Sequence, residues 1–151
     1  GLSWFTSNQE GILKRNKNLK TIIKKLSRSK ITFVNLQYGE VNDDIVQIKQ
    51  ELGISILNIE NVSNFYNLDD LLSVIDLCDI VVSIDNSTIH LSGSIGKDTR
   101  VLLPYASDWR WGLDEKKSYW YKDLILYRQT KAFDWEIPLD ELASDLSKFK
   151  H

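Results

Sequence analysis

The 151-residue sequence predicts an α/β protein built on a doubly wound parallel sheet, and three observations carry that expectation. Short apolar runs rich in β-branched residues alternate with amphipathic helical segments along the chain, the pattern of successive βαβ units. The run Ile80, Val81, Val82 and Ile84, broken only by Ser83, is apolar on both faces, as a strand inside a parallel sheet must be. That run meets a polar corner, Asp85, Asn86, Ser87 and Thr88, whose short side chains cap helix N-termini; a helical segment through His90, Leu91 and Ile95 then continues to Gly96. Strand, capped corner and helix together put free backbone N–H groups and the positive end of a helix dipole at the carboxyl edge of a sheet, a place suited to an anion.

The remaining elements follow in order. Leu2, Ser3, Trp4 and Phe5 make a first strand, and residues 6–11 form a polar loop at the ligand edge. A basic segment, Lys14, Arg15, Lys17 and Lys20, precedes a helix with Leu19, Ile22, Ile23 and Leu26 at helical spacing. Ile31 to Leu36 is a second strand, closed by Gln37, Tyr38 and Gly39, and a helix from about Asp43 to Leu52 ends at Gly53. Ile54 to Ile59 is a third strand; an Asn- and Ser-rich loop leads to a helix through Leu68, Leu71, Leu72, Ile75 and Leu77, with Asp69 and Asp70 in its first turn. After the corner come a strand from Arg100 to Leu103 stopped by Pro104 and a long aromatic loop from Tyr105 to Asp123. A short strand from Leu124 to Tyr127 and a closing helix through Leu139, Leu142, Leu146 and Phe149 complete the chain.

Composition narrows the function. A net charge of −2 and a pI near 5.7 give no global attraction to nucleic acid or to an anionic membrane, so any basic site is local. The single cysteine, Cys78, cannot form an internal disulfide and reads as a small buried hydrophobe, consistent with a cytoplasmic location. No run of about 18 apolar residues spans a membrane, and nothing resembles a signal peptide. With Gly1 leading directly into a strand and no Met in the sequence, the chain reads as one domain cut from a longer protein.

Neither Gly-x-Gly-x-x-Gly after the first strand nor a P-loop is present, which removes the usual dinucleotide and phosphate cradles. His90 is the sole histidine before the terminal His151, so sites built on several His or Cys ligands are excluded and no metal is expected. Ser87, His90 and Asp85 lie within one helical turn and cannot take the in-line geometry of a hydrolase triad. At the corner, helix capping and ligand binding are compatible roles. The basic cluster Lys14, Arg15 and Lys17 is either a solvated helix face or part of the ligand edge. The loop aromatics Trp109, Trp111, Tyr119, Trp120 and Tyr121 suit core packing, a protein interface or a sugar site, since large amphipathic rings serve all three.

The motif DNSTIHLSGSIGK, with Asp85, His90, Leu91, Gly93, Gly96 and Lys97, resembles the Asp-Thr-x-x-x-His-Leu-Ala-Gly-x-x-Gly-Lys motif of the heptosyltransferase-like glycosyltransferases of family 9, in their C-terminal half. GLSW at Gly1 to Trp4 and FVNLQYG at Phe33 to Gly39 are similar to the first two strands of that half. VLLPYASDWRW and SYWYKDLILYRQ resemble the subgroup fused to tetratricopeptide repeats. Asn86 stands where that family usually has Thr.

The resemblance implies the C-terminal, Rossmann-like half of a GT-B fold, holding a nucleotide-diphosphate sugar and needing no metal. It implies that Asp85 contacts donor sugar hydroxyls, that the backbone N–H groups of Asn86, Ser87 and Thr88 hold the diphosphate with His90 at the same corner, and that Lys14, Arg15 or Lys17 neutralises it. Thr6 or Ser7 would add a hydroxyl to the phosphates, and Asp43 or Asp44 would accept from the ribose. The catalytic base belongs to the N-terminal half, so the isolated chain is expected to bind without turnover, with that half-domain and tetratricopeptide repeats as partners. Two other readings stand beside it: an interaction module that keeps the fold without transferase activity, and a plain nucleotide-binding domain.

Overall fold

The computed structural model describes residues 1–6, 19–27, 30–59, 62 and 67–149. Six parallel strands form its centre: β1 (Leu2–Ser3), β2 (Phe33–Val34), β3 (Ile56–Leu57), β4 (Val81–Ile84), β5 (Thr99–Leu103) and β6 (Leu124–Arg128). β1, β4, β5 and β6 pair in that order, and β2 pairs with β3. A parallel bridge between Leu2 and Asn35 and a Leu36 N–H bond to the Leu2 carbonyl join the two sets. The strands therefore run 3-2-1-4-5-6, the Rossmann-like doubly wound order, whose switch point lies between β1 and β4.

Among the described residues, five α-helices flank the sheet: α1 (Leu19–Leu26), α2 (Asn42–Leu52), α3 (Leu68–Leu77), α4 (Ser87–Ser94) and α5 (Glu136–Leu146). Alternation along the strands divides the core. Val82 and Ile84 of β4 and Leu102 of β5 pack with Ile22, Ile23, Leu139 and Leu142 of α1 and α5. Val81 packs with Leu71, Val74 and Ile75 of α3; Val101 and Leu103 pack with Ile89 of α4 and with Trp111. Cys78 is buried in the α3 cluster and its thiol donates to the Val74 carbonyl, so it is the small hydrophobe the sequence implies.

Element ends differ from the sequence reading for identifiable reasons. β1 stops at Ser3 because the N–H groups of Trp4 and Phe5 turn to the side-chain oxygen of Gln37, at 2.9 and 2.8 Å. α2 ends where expected, at Gly53, whose φ of +69° only glycine adopts without strain. α5 begins two residues before Pro138, which then occupies the first turn, where its missing N–H costs nothing. Residues 116–118 are not plain loop: Lys117 bridges Ile125 antiparallel and the Leu126 N–H reaches the Lys116 carbonyl, so this segment lies along the outer edge of β6. No helix among the described residues is long and apolar enough to cross a membrane.

At the amino end of β5, the buried Arg100 guanidinium binds Asp98 and Asp145, and Asp145 also accepts from the Tyr127 hydroxyl at 2.7 Å. Burial works against the Asp145 carboxylate, but the Tyr127 and Arg100 bonds outweigh it and hold its pKa below the usual 3.8. Burial, then the Asp145 bond, pushes the Tyr127 phenol above its usual 10. Stability tied to Asp145 is therefore full above about pH 4 and lost on acidification; stability tied to Tyr127 is full below pH 10 and lost as pH rises past it. Urea unfolding from pH 7 to pH 3 should show falling stability, and Asp145→Asn should be less stable at pH 7 with a shallower acid slope; an unchanged slope would remove Asp145 from this role.

Candidate functional site

The candidate site lies at the carboxyl edge of the sheet, over the β1/β4 switch point, and is organised by buried polar side chains. Asn86 is the N-cap of α4, its Oδ1 accepting from the Thr88 N–H at 3.0 Å and from the Ser83 hydroxyl at 3.0 Å. Its Nδ2 donates to Ser3 Oγ at 2.8 Å and to the Phe5 carbonyl at 3.1 Å, tying the ends of β1 and β4 together. Thr, the residue the resembling family usually carries here, can supply a cap oxygen but not this second, donating arm. Ser3 Oγ donates onward to Gln37 Oε1 at 3.0 Å, the Gln37 N–H is held by Asn35 Oδ1 at 2.9 Å, and Asn35 Nδ2 reaches Asn58 at 3.0 Å. One hydrogen-bonded chain thus crosses from β3 to α4.

Asp85 precedes the cap and is only 4% exposed. Thr88 is buried, its hydroxyl 3.3 Å from Ser3 Oγ, whereas Ser87 is exposed at the first helical position. Thr6 is buried at the end of the β1 segment, beside the Phe5 carbonyl that Asn86 binds. The structure thus brings Asp85, Asn86, Ser87, Thr88 and Thr6 to one edge. It also uses the Thr88 N–H internally, so that amide is engaged by the Asn86 cap. Asp43 and Asp44 sit exposed in the first turn of α2, beyond the carboxyl end of β2. Ser7, Lys14, Arg15 and Lys17 lie outside the described residues.

His90, half-buried on α4, carries a second cluster that sequence reasoning missed. Its ring stacks on Trp111 at 5.7 Å; its Nδ1 lies 3.1 Å from the Tyr121 hydroxyl and its Nε2 3.3 Å from an Arg110 N–H nitrogen. A guanidinium only donates, so Nε2 accepts and the imidazole proton sits on Nδ1, facing Tyr121. Burial, then the Arg110 charge, lowers the His90 pKa below 6.5, against the opposing fields of Asp85 and Asp108. Arg110 is gripped by Asp108, Nε to Oδ1 at 2.9 Å and the outer nitrogen to Oδ2 at 3.2 Å, and Asp108 also caps the 3₁₀ turn Trp109–Trp111. The signal for this cluster was the aspartate and arginine flanking Trp109, but only the folded loop brings them to His90.

Two glycine–lysine features of the motif prove architectural. Gly93 faces Tyr121 so closely that a Cβ there would lie 2.5 Å from the ring. Lys97 Nζ donates to the Asp76 and Cys78 carbonyls at 2.7 and 2.9 Å, satisfying the end of α3. Beyond the cluster the loop is exposed: Trp109 is 78% and Trp120 60% accessible, their rings edge to face at 6.0 Å, with Trp120 Nε1 fixed on the Arg110 carbonyl.

Among curated proteins, the chain is similar to Protein FlbA of Caulobacter vibrioides, 31% identical over 119 residues that make up 79% of this chain. The chain spans 20% of FlbA's length. No protein-family profile matches, and no solved structure matches.

Asn86→Ala removes the cap and strands the partners on β1, and should cost about 2–4 kcal/mol, with Asn86→Thr intermediate because only the cap is restored. Gly93→Ala should cost about 1–3 kcal/mol through overlap with Tyr121, outweighing the ~1 kcal/mol that alanine gains in a helix. Urea denaturation checks both, and a wild-type midpoint for Gly93→Ala would contradict the close approach.

Proposed function

We propose that this chain is the donor-binding domain of a glycosyltransferase and binds a nucleotide-diphosphate sugar, without turnover in isolation. The observation that carries the reading is a buried carboxylate, Asp85, at the switch point of a 3-2-1-4-5-6 sheet, next to a capped helix N-terminus. Ligands of such sheets bind outside the carboxyl ends of the strands at that point. The segment from Asp85 to Lys97 and the aromatic segments, which resemble those of family 9 glycosyltransferases, support a nucleotide-diphosphate sugar as the ligand class.

In this reading Asp85 accepts from hydroxyls of the donor sugar and the amides of Asn86 and Ser87 meet the diphosphate. Lys14, Arg15 or Lys17 adds positive charge, Thr6 or Ser7 a hydroxyl, and Asp43 or Asp44 takes the ribose. In the parent enzyme these groups stabilise the departing diphosphate where negative charge develops, and the catalytic base comes from the other half-domain. A second reading, an interaction module joined to tetratricopeptide repeats, is favoured by the exposed Trp109, Tyr119 and Trp120 surface.

The test is a titration of the isotopically labelled chain with nucleoside diphosphates and nucleotide sugars, followed by amide shifts. Residues 85–90 should shift with at least one of them; silence at millimolar concentration would overturn the donor reading and favour the interaction module. Asp85→Ala should weaken the nucleotide sugar more than the matching nucleoside diphosphate, and equal losses would remove the sugar-contact role.

A further inference from the structure

Arg110 belongs to none of the groups assigned above, yet it is the cation that the described residues bring to this corner. Its guanidinium has five N–H donors. Two go to the Asp108 carboxylate and one to His90 Nε2, leaving two. The side chain is 38% exposed, so those donors are reachable. His90 lies three residues, about one helical turn, beyond Ser87 on α4, and Arg110 meets its side chain at 3.3 Å, on the first turns of that helix. The Asp85 carboxylate acts electrostatically on both His90 and Arg110. The fully buried Trp111 ring that stacks on His90 carries an N–H with no hydrogen-bond partner among the described residues, so the cluster holds an unmet donor as well.

We infer that Arg110 is a ligand-binding residue, presenting its two remaining N–H donors to the diphosphate oxygens of the nucleotide; this rests on the donor-site reading. Asp108 cancels much of the Arg110 charge, so the contribution is directional rather than a long-range field. Asp108 fixes one side of the planar fork and His90 a third N–H, which orients the rest without loss of side-chain freedom on binding. A lysine has no such fork: it cannot hold Asp108 in two places and still address a phosphate. The arrangement also separates the ligand's parts. Asp85, an acceptor, faces hydroxyls, and Arg110, a donor, faces phosphate.

The experiment compares the 151-residue chain with its Arg110→Gln and Arg110→Lys variants, titrated with UDP, ADP, GDP, the matching nucleosides and inorganic pyrophosphate. For the diphosphate that binds, Arg110→Gln should raise Kd about tenfold or more and Arg110→Lys several-fold, with nucleoside affinity unchanged. Wild-type amide shifts across β2 and β3 in both variants report an intact fold, and if Arg110→Gln fails to fold, Arg110→Lys carries the comparison. Diphosphate affinities within twofold of wild type overturn the inference while leaving the donor reading intact, as does an equal loss for nucleoside and diphosphate. A wild-type chain that binds neither a diphosphate nor pyrophosphate at millimolar concentration overturns both.

Discussion

The side-chain amides of Gln37 and Asn86 hold the switch point together. Where β1 ends, the N–H groups of Trp4 and Phe5 leave the sheet, and Gln37 Oε1 accepts both along with the Ser3 hydroxyl. Asn86 completes the chain from the other side, capping α4 with its oxygen and clasping β1 with its nitrogen. Both residues are almost wholly buried, where each unmet polar group costs about 1–3 kcal/mol. Because Gln37 Oε1 gathers three donors and Asn86 bonds through both ends of its amide, the network ties the end of β1 to β2 on one side and to β4 and α4 on the other. The candidate site lies at that junction.

The fold was legible because its signals are local. A short, β-branched, two-faced apolar run such as Ile80 to Ile84 suits an inner strand, and the apolar spacing of α1, α3 and α5 survives in the core clusters. Strand lengths were less legible. The sequence reading carries β1 through Phe5 and β2 from Ile31 to Leu36, whereas regular pairing covers two residues in each. Propensity registers apolar content and has no term for Gln37, thirty-odd residues away, drawing the backbone of Trp4 and Phe5 out of the ladder.

The candidate site divides along the same line. The corner from Asp85 to Thr88 is contiguous, and its residue types announce a cap. The cluster of His90, Asp108, Arg110 and Tyr121 joins a helix to two parts of a long loop, and the Asp108–Arg110 spacing alone does not point to His90 or Tyr121. Gly93 and Lys97 read as motif residues, but the first makes room for Tyr121 and the second satisfies carbonyls at the end of α3. A motif thus mixes positions that meet a ligand with positions that hold the frame, and only the folded contacts sort one from the other.

The segment at residues 116–118 bears on how this sheet meets other chains. Lying antiparallel along β6, it occupies backbone groups that would otherwise point outward. The chain itself thus covers part of the sheet's outer edge, from Leu124 to Leu126, close in sequence to Trp120. Over that stretch the edge offers an incoming extended peptide fewer unpaired backbone groups, which makes pairing with unfolded neighbours less favourable there.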